Sequence, residues 1–102
     1  MISKWMEFLR LRSTGVPEED FLKRVTKFES ELEDTGGLVD WLVYRHATLR
    51  GDCTVILHWD TEQLDPMGST LAQALTRELS QLGMVDHSVW LAESTFTGRN
   101  EP

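Results

Sequence analysis

Large apolar residues crowd into four short runs of this chain and recur at intervals of three and four in two other stretches. The first run, Lys4 to Ser13, carries Trp5, Met6, Phe8, Leu9 and Leu11 and stops at Thr14-Gly15, which predicts a strand. Pro17 suits the first position of a helix, where a missing N–H needs no partner. Glu18, Glu19 and Asp20 suit the positive end of that helix's dipole. Phe21, Val25, Phe28 and Leu32 form its apolar stripe, and Gly36-Gly37 closes it. Leu38 to Thr48 reads as a second strand and Cys53 to Asp60 as a third. The short turn at Leu49 to Asp52 makes the two an antiparallel hairpin. A second helix carries Leu71, Leu75, Leu79 and Leu82, with Asp65 before Pro66, or else Thr70 with Gln73 three residues on, as its cap; Gly83 ends it. Val85 to Glu93 reads as the fourth strand. Residues 95–102 are a polar tail, so 1–94 form one domain.

Strand, helix, strand, strand, helix, strand is the ferredoxin-like split βαβ order. The predicted fold class is α+β, a four-stranded antiparallel sheet with two helices on one face. Such a sheet can leave its other face wet, and its strands should then alternate apolar and polar. These do not alternate cleanly. Trp5, Leu9 and Leu11 oppose Met6 and Phe8. Val39, Trp41 and Val43 oppose Leu38, Leu42 and Tyr44. Val55, Leu57 and Trp59 oppose Ile56, and Val89 and Leu91 oppose Trp90 and Ala92. All four tryptophans fall on predicted strands. A fully buried large side chain is worth ~1.5–3 kcal/mol, so a second greasy face calls for a cover. The chain has no third layer of its own, and the expectation is a homodimer paired face to face through the sheets.

The chain resembles the dimeric α/β-barrel superfamily, in particular the antibiotic biosynthesis monooxygenase-like group. The likeness lies in the element order, from about Lys4 to Glu93, and in Trp59-Asp60-Thr61-Glu62-Gln63-Leu64 at the end of the third strand. It implies two sheets paired into a barrel with the helices outside, and a pocket between sheet and helices. It also implies a small monooxygenase-like protein that binds a small aromatic molecule and oxidises it with molecular oxygen, needing no cofactor. The alternative on the same dimeric fold is a non-catalytic ligand-binding or interaction module. Haem-degrading relatives use a first-strand Asn and a later Trp and His. Here the first strand has no Asn, and the later positions fall near Gly68 and Glu78, so that chemistry is not expected.

Charge and composition narrow the partners. The 102 residues carry 10 Lys plus Arg against 17 Asp plus Glu, a net charge of −7. That is a poor start for a nucleic-acid binder, which needs a basic face. RNA-binding domains share this element order, but their stacking aromatics are replaced here by Asp52, Thr54 and Leu57. No stretch approaches the ~18 apolar residues of a membrane span, and no leader pattern opens the chain. A cytoplasmic protein, with neither nucleic acid nor membrane as partner, is expected. Cys53 is the one cysteine, which rules out an internal disulfide.

Three histidines offer chemistry. His46, His58 and His87 are each candidates for a general base that takes a phenolic proton, leaving an electron-rich anion that reacts with oxygen. Tyr44 and the tryptophans, Trp59 among them, are candidate pocket walls. Arg10 is a candidate for an anionic substrate group. An ion pair of Arg10 and Arg12 with acids across the dimer is the favoured reading of those two. His58, Asp60 and His87 formally make two histidines and a carboxylate, a known iron ligand set, but no metal is expected. A hydrogen bond between His58 and Asp60 is the plainer expectation.

Overall fold

The computed structural model describes residues 3–13, 18–62 and 64–93. Pro17, read as the first position of the first helix, and the polar tail lie outside these residues. Four strands, β1 (Ser3–Arg12), β2 (Leu38–Arg45), β3 (Asp52–Thr61) and β4 (Met84–Leu91), form one sheet in the order β2-β3-β1-β4, with every neighbouring pair antiparallel. Three helices, α1 (Glu18–Thr26), α2 (Glu29–Asp34) and α3 (Thr70–Leu79), join them. The α+β ferredoxin-like class read from the sequence is the observed one.

The core lies between the sheet and the helices. Trp5, Leu9 and Leu11 of β1 and Val55, Leu57 and Trp59 of β3 are buried against Phe21, Val25 and Leu32 and against Leu71, Leu75 and Leu79. The two central strands thus bury one full face, as period-two alternation demands.

The single first helix expected from the stripe is two. α1 ends at Thr26, whose Oγ1 donates to Leu22 O at 2.7 Å, and the Phe28 amide reaches only three residues back, to Val25 O at 2.9 Å. A threonine bonding to the preceding turn and a three-residue step both bend a helix. The stripe stays on the core through the bend: Val25 and Leu32 are buried and Phe28 packs against them.

β2 stops at Arg45, three residues short of the expected end. The His46 ring accepts at Nδ1 from the amides of Thr48 and Leu49 (3.1 and 2.9 Å), which curls the chain into the hairpin turn. A register shift between Leu38 and Asp40 also corrects the facing read for β2. Leu38 stands beside Trp59 on the core face, as Trp41 stands beside Leu57, and Val39 is the extra residue between them. The cap of α3 is Ser69, neither Asp65 nor Thr70: its Oγ accepts from the Ala72 amide at 3.0 Å. Asp65 instead caps the preceding turn, Oδ1 accepting from the Met67 amide at 3.0 Å.

Glu78 ties α3 to α1 by accepting from Arg24 (2.7 Å) and Lys27 (3.1 Å). The Arg24 hydrogen bond, then that of Lys27, holds the Glu78 carboxyl below the ordinary carboxylate range. Arg10 and Arg12 are paired within the chain, to Asp52 (2.9 Å) and Asp86 (3.5 Å). The acids beside both arginines are thus of their own chain.

The sheet face turned away from the helices is apolar through its middle. Phe8, Ile56 and Leu42 lie side by side across three strands, with Met6 and Trp90 in the next row and Tyr44 beyond. Val39 is 63% exposed, Trp90 56% and Tyr44 53%. No helix among the described residues is long and apolar enough to cross a membrane.

Candidate functional site

Antiparallel pairing brings the start of β1, the end of β3, the end of β4 and the start of β2 to one end of the sheet. There, residues 4–6, 58–60, 90–92 and 39–40 enclose a groove of about 430 Å³. Its walls are mostly apolar. Trp90 stands over it from the edge strand, held by donation from Nε1 to Ser88 Oγ at 2.8 Å and by an edge-on contact with Phe8. Trp5 and Trp59 stack beneath it, ring centroids 5.2 Å apart and planes 14° from parallel. Offset stacking of this kind adds ~0.5–1.5 kcal/mol to the burial of the rings and fixes their position.

One histidine faces this groove. His58 opposes Met6 on one side and Asp40 on the other, and its Nδ1 is hydrogen-bonded to Asp40 Oδ1. A carboxylate on one ring nitrogen orients the imidazole and sets its tautomer, leaving Nε2 to meet a ligand. The partner is Asp40 on the neighbouring strand, not Asp60 two residues along. Asp60 shares the groove, and its Oδ1 is buried with no hydrogen-bond partner among the described residues.

The sequence candidates therefore separate. His58 and Trp59 meet at the groove. Tyr44 and Arg10 share a row further along the same face, each beside Thr54, with Arg10 held by Asp52. His46 sits in the hairpin turn. His87 is on the opposite, helix-facing side of the sheet, beside Leu9. With His58 and His87 on opposite faces, the formal set of His58, Asp60 and His87 cannot close on one ion. No group of three potential metal ligands clusters among the described residues.

A second polar cluster went unread in the sequence. Glu7, between Trp5 and Leu9 on the core face, is fully buried. Its Oε1 accepts from Trp59 Nε1 (2.8 Å) and Ser69 Oγ (2.7 Å), and its Oε2 from the Ser69 amide (2.9 Å) and His87 Nε2 (2.8 Å). Ser69 Oγ already accepts from Ala72, so its proton goes to Glu7. The carboxylate thus meets four donors, as many as its two oxygens can hold. The signal was present: a glutamate at an alternation position otherwise filled by Trp, Leu and Leu.

Between sheet and helices, where the resemblance implies the pocket, a groove of about 520 Å³ opens from α2 to the start of α3 over the edge of Trp59. Glu31 and Asp34 line it, and no histidine does among the described residues. The aromatic, histidine-bearing groove is on the other face.

No protein-family model matches the sequence, and no curated protein does. Solved structures match closely in shape. The chain is similar to SnoaB, a cofactor-independent oxygenase from Streptomyces nogalater, at 15% identity and a TM-score of 0.71 over 93% of this chain and 98% of that one. It is similar to a proposed antibiotic biosynthesis monooxygenase from Deinococcus radiodurans at 12% identity and TM-score 0.70, covering 94% and 99%. A third, from Bordetella bronchiseptica and proposed to have the same role, matches at 14% and 0.66 over 92% and 99%. At these identities the likeness is one of fold: the chain shares the α+β ferredoxin-like fold of these structures.

Proposed function

We propose that this chain is a homodimeric, monooxygenase-like protein that binds a small aromatic molecule in the groove at the end of the sheet and oxidises it with molecular oxygen, without a cofactor. The observation that carries this reading is the His58–Asp40 pair opening onto a groove walled by tryptophan. A pocket with mostly apolar walls and a few converging polar groups is the usual form of a small-molecule site. His58 Nε2 takes the proton of a phenolic hydroxyl, and Asp40 stabilises the imidazolium that results. The phenolate then supplies the electrons. Four electrons pass to oxygen as a ring C–H becomes a carbonyl, with one oxygen atom entering the product and the other leaving as water. His46 and His87 are already engaged, one in a turn and one with Glu7, which supports His58 as the base.

The homodimer rests on the exposed aromatic face. A second copy seated on Phe8, Ile56 and Leu42 covers that face and roofs the groove at its end. Light scattering at micromolar concentration is expected to give twice the 11.7 kDa chain mass, and Ile56→Glu is expected to halve it. A monomer mass for the unaltered chain would remove the dimer.

Oxygen uptake with a panel of hydroquinones tests the chemistry. Turnover is expected for the unaltered protein and a fall of about 100-fold for His58→Ala, the lower end of what a positioned base supplies. His87→Ala should leave more turnover than His58→Ala. Binding without uptake for every hydroquinone leaves a ligand-binding module. Uptake indifferent to His58 removes its role as base.

A further inference from the structure

Asp60 presents an acceptor with nothing to accept. Its Oδ1 is buried without a partner among the described residues, while its backbone N–H is already given to Gly37 O at 2.8 Å. Buried polar atoms are almost always satisfied, and an unsatisfied one in a native protein calls for a reason. The surrounding ring N–H donors are committed elsewhere. Trp5 Nε1 donates to Thr61 Oγ1, Trp59 Nε1 to Glu7 Oε1 and Trp90 Nε1 to Ser88 Oγ. His58 Nδ1 is engaged by Asp40. Lys4, directly across the strand pair from Asp60, is exposed at the mouth of the groove. What remains is an apolar, aromatic-walled groove lined by the Asp60 carboxyl, whose Oδ1 is buried and unpartnered among the described residues, and by the His58 ring.

We infer that Asp60 is the specificity-determining residue of this groove: it selects a flat apolar molecule that carries an O–H or N–H donor, and excludes the same molecule without one. The inference rests on the reading of the groove as a small-aromatic site and adds what that site demands of its ligand. A site built around a polar group rejects an analogue that leaves the group unpaired far more strongly than an apolar wall rejects a missing methylene. The donor can be a hydroxyl or an ammonium. The hydroxyl meets a simple acceptor, and the ammonium adds charge pairing with the carboxylate.

The test titrates the full chain with p-cresol, benzylamine and 4-methylanisole, read by tryptophan fluorescence and by the NMR signals of the indole N–H groups and the His58 ring. In the unaltered protein at least one donor-bearing probe is expected to bind 10-fold or more tighter than 4-methylanisole. Asp60→Leu is expected to cut that preference to 3-fold or less, the remainder being what His58 Nε2 accepts. Asp60→Asn, which keeps the shape and an acceptor oxygen, is expected to keep the preference for p-cresol and to lose any for benzylamine. It also stands in if the leucine variant fails to fold. Equal binding of 4-methylanisole and both donor probes, with the indole signals moving, overturns the inference and leaves the groove reading intact. A preference undiminished in Asp60→Leu does the same. Failure of all three probes to move any groove signal overturns both.

Discussion

Glu7→Ala is expected to cost about 3–5 kcal/mol of folding stability, the range for removing one partner from a buried ionic network. The substitution does more than open a cavity. It strands the Trp59 indole N–H, the Ser69 amide and the His87 ring in the interior, where each unpaired group costs about 1–3 kcal/mol. A domain of this size commonly has about 5–15 kcal/mol in all, so the loss is a large share. Glu7→Gln keeps the shape but turns one acceptor into a donor. If the amide nitrogen faces Trp59, it meets an N–H that cannot turn away. If it faces Ser69 and His87, the imidazole can change tautomer but the Ser69 amide cannot. One donor–donor contact survives either way, so a smaller loss of about 1–3 kcal/mol is expected. Urea unfolding with an unchanged m-value checks both. A midpoint for Glu7→Ala within error of the unaltered protein would mean that water replaces the carboxylate at no cost, and that Glu7 does not hold the start of α3.

That network shows where the sequence stopped being legible. Strand order and core stripes were readable because burial imposes a period: Trp5, Leu9 and Leu11 recur every second residue or multiple of two, and Leu71, Leu75 and Leu79 every fourth. The apolar second face was readable for the same reason, from Met6, Phe8 and Ile56. What period does not encode is pairing across strands. His58 looked most naturally joined to Asp60, its same-face neighbour along the strand. The register puts Asp40 opposite instead, eighteen residues away and displaced by the irregularity at Leu38. Glu7 was hidden by its type, since a lone glutamate in a strand is ordinarily solvated. Only the convergence of β3, β4 and the α3 cap on one carboxylate makes its burial tolerable.

The two polar clusters divide the sheet between them. Glu7 and His87 occupy the helix side and close on each other. Asp40, His58 and Asp60 occupy the far side and leave a ring nitrogen and a carboxylate oxygen without a partner among the described residues. Trp59 belongs to both, its ring under the groove and its N–H given to Glu7. The buried network thereby anchors a wall of the candidate site. A Glu7 variant that still folds should loosen ligand binding in the groove without touching a ligand.

Gly51→Ala is the second large effect expected, and it acts through the backbone. Gly51 ends the hairpin turn with φ at +86°, a region that costs a residue with a side chain about 1–3 kcal/mol. A Cβ there would also overlap the Ser13 carbonyl oxygen and stand 3.0 Å from Ser13 Oγ. Ser13 cannot retreat freely. Its amide and its hydroxyl both donate to Gly51 O at 3.1 Å, fastening the end of β1 to the start of β3. Overpacking of that kind typically adds about 1–3 kcal/mol. Gly36 is the control within the same chain: its φ is not positive and a Cβ there would meet nothing within 4 Å. Gly36→Ala is expected to be neutral or to stabilise by about 0.4–1 kcal/mol, through a less flexible unfolded chain. At about 4–8 °C per kcal/mol for a domain of this size, thermal unfolding should separate the two alanine variants by 10 °C or more. Equal melting temperatures would mean that the turn re-forms around a side chain, and that the close approach of Ser13 to Gly51 is not what sets the β1–β3 register.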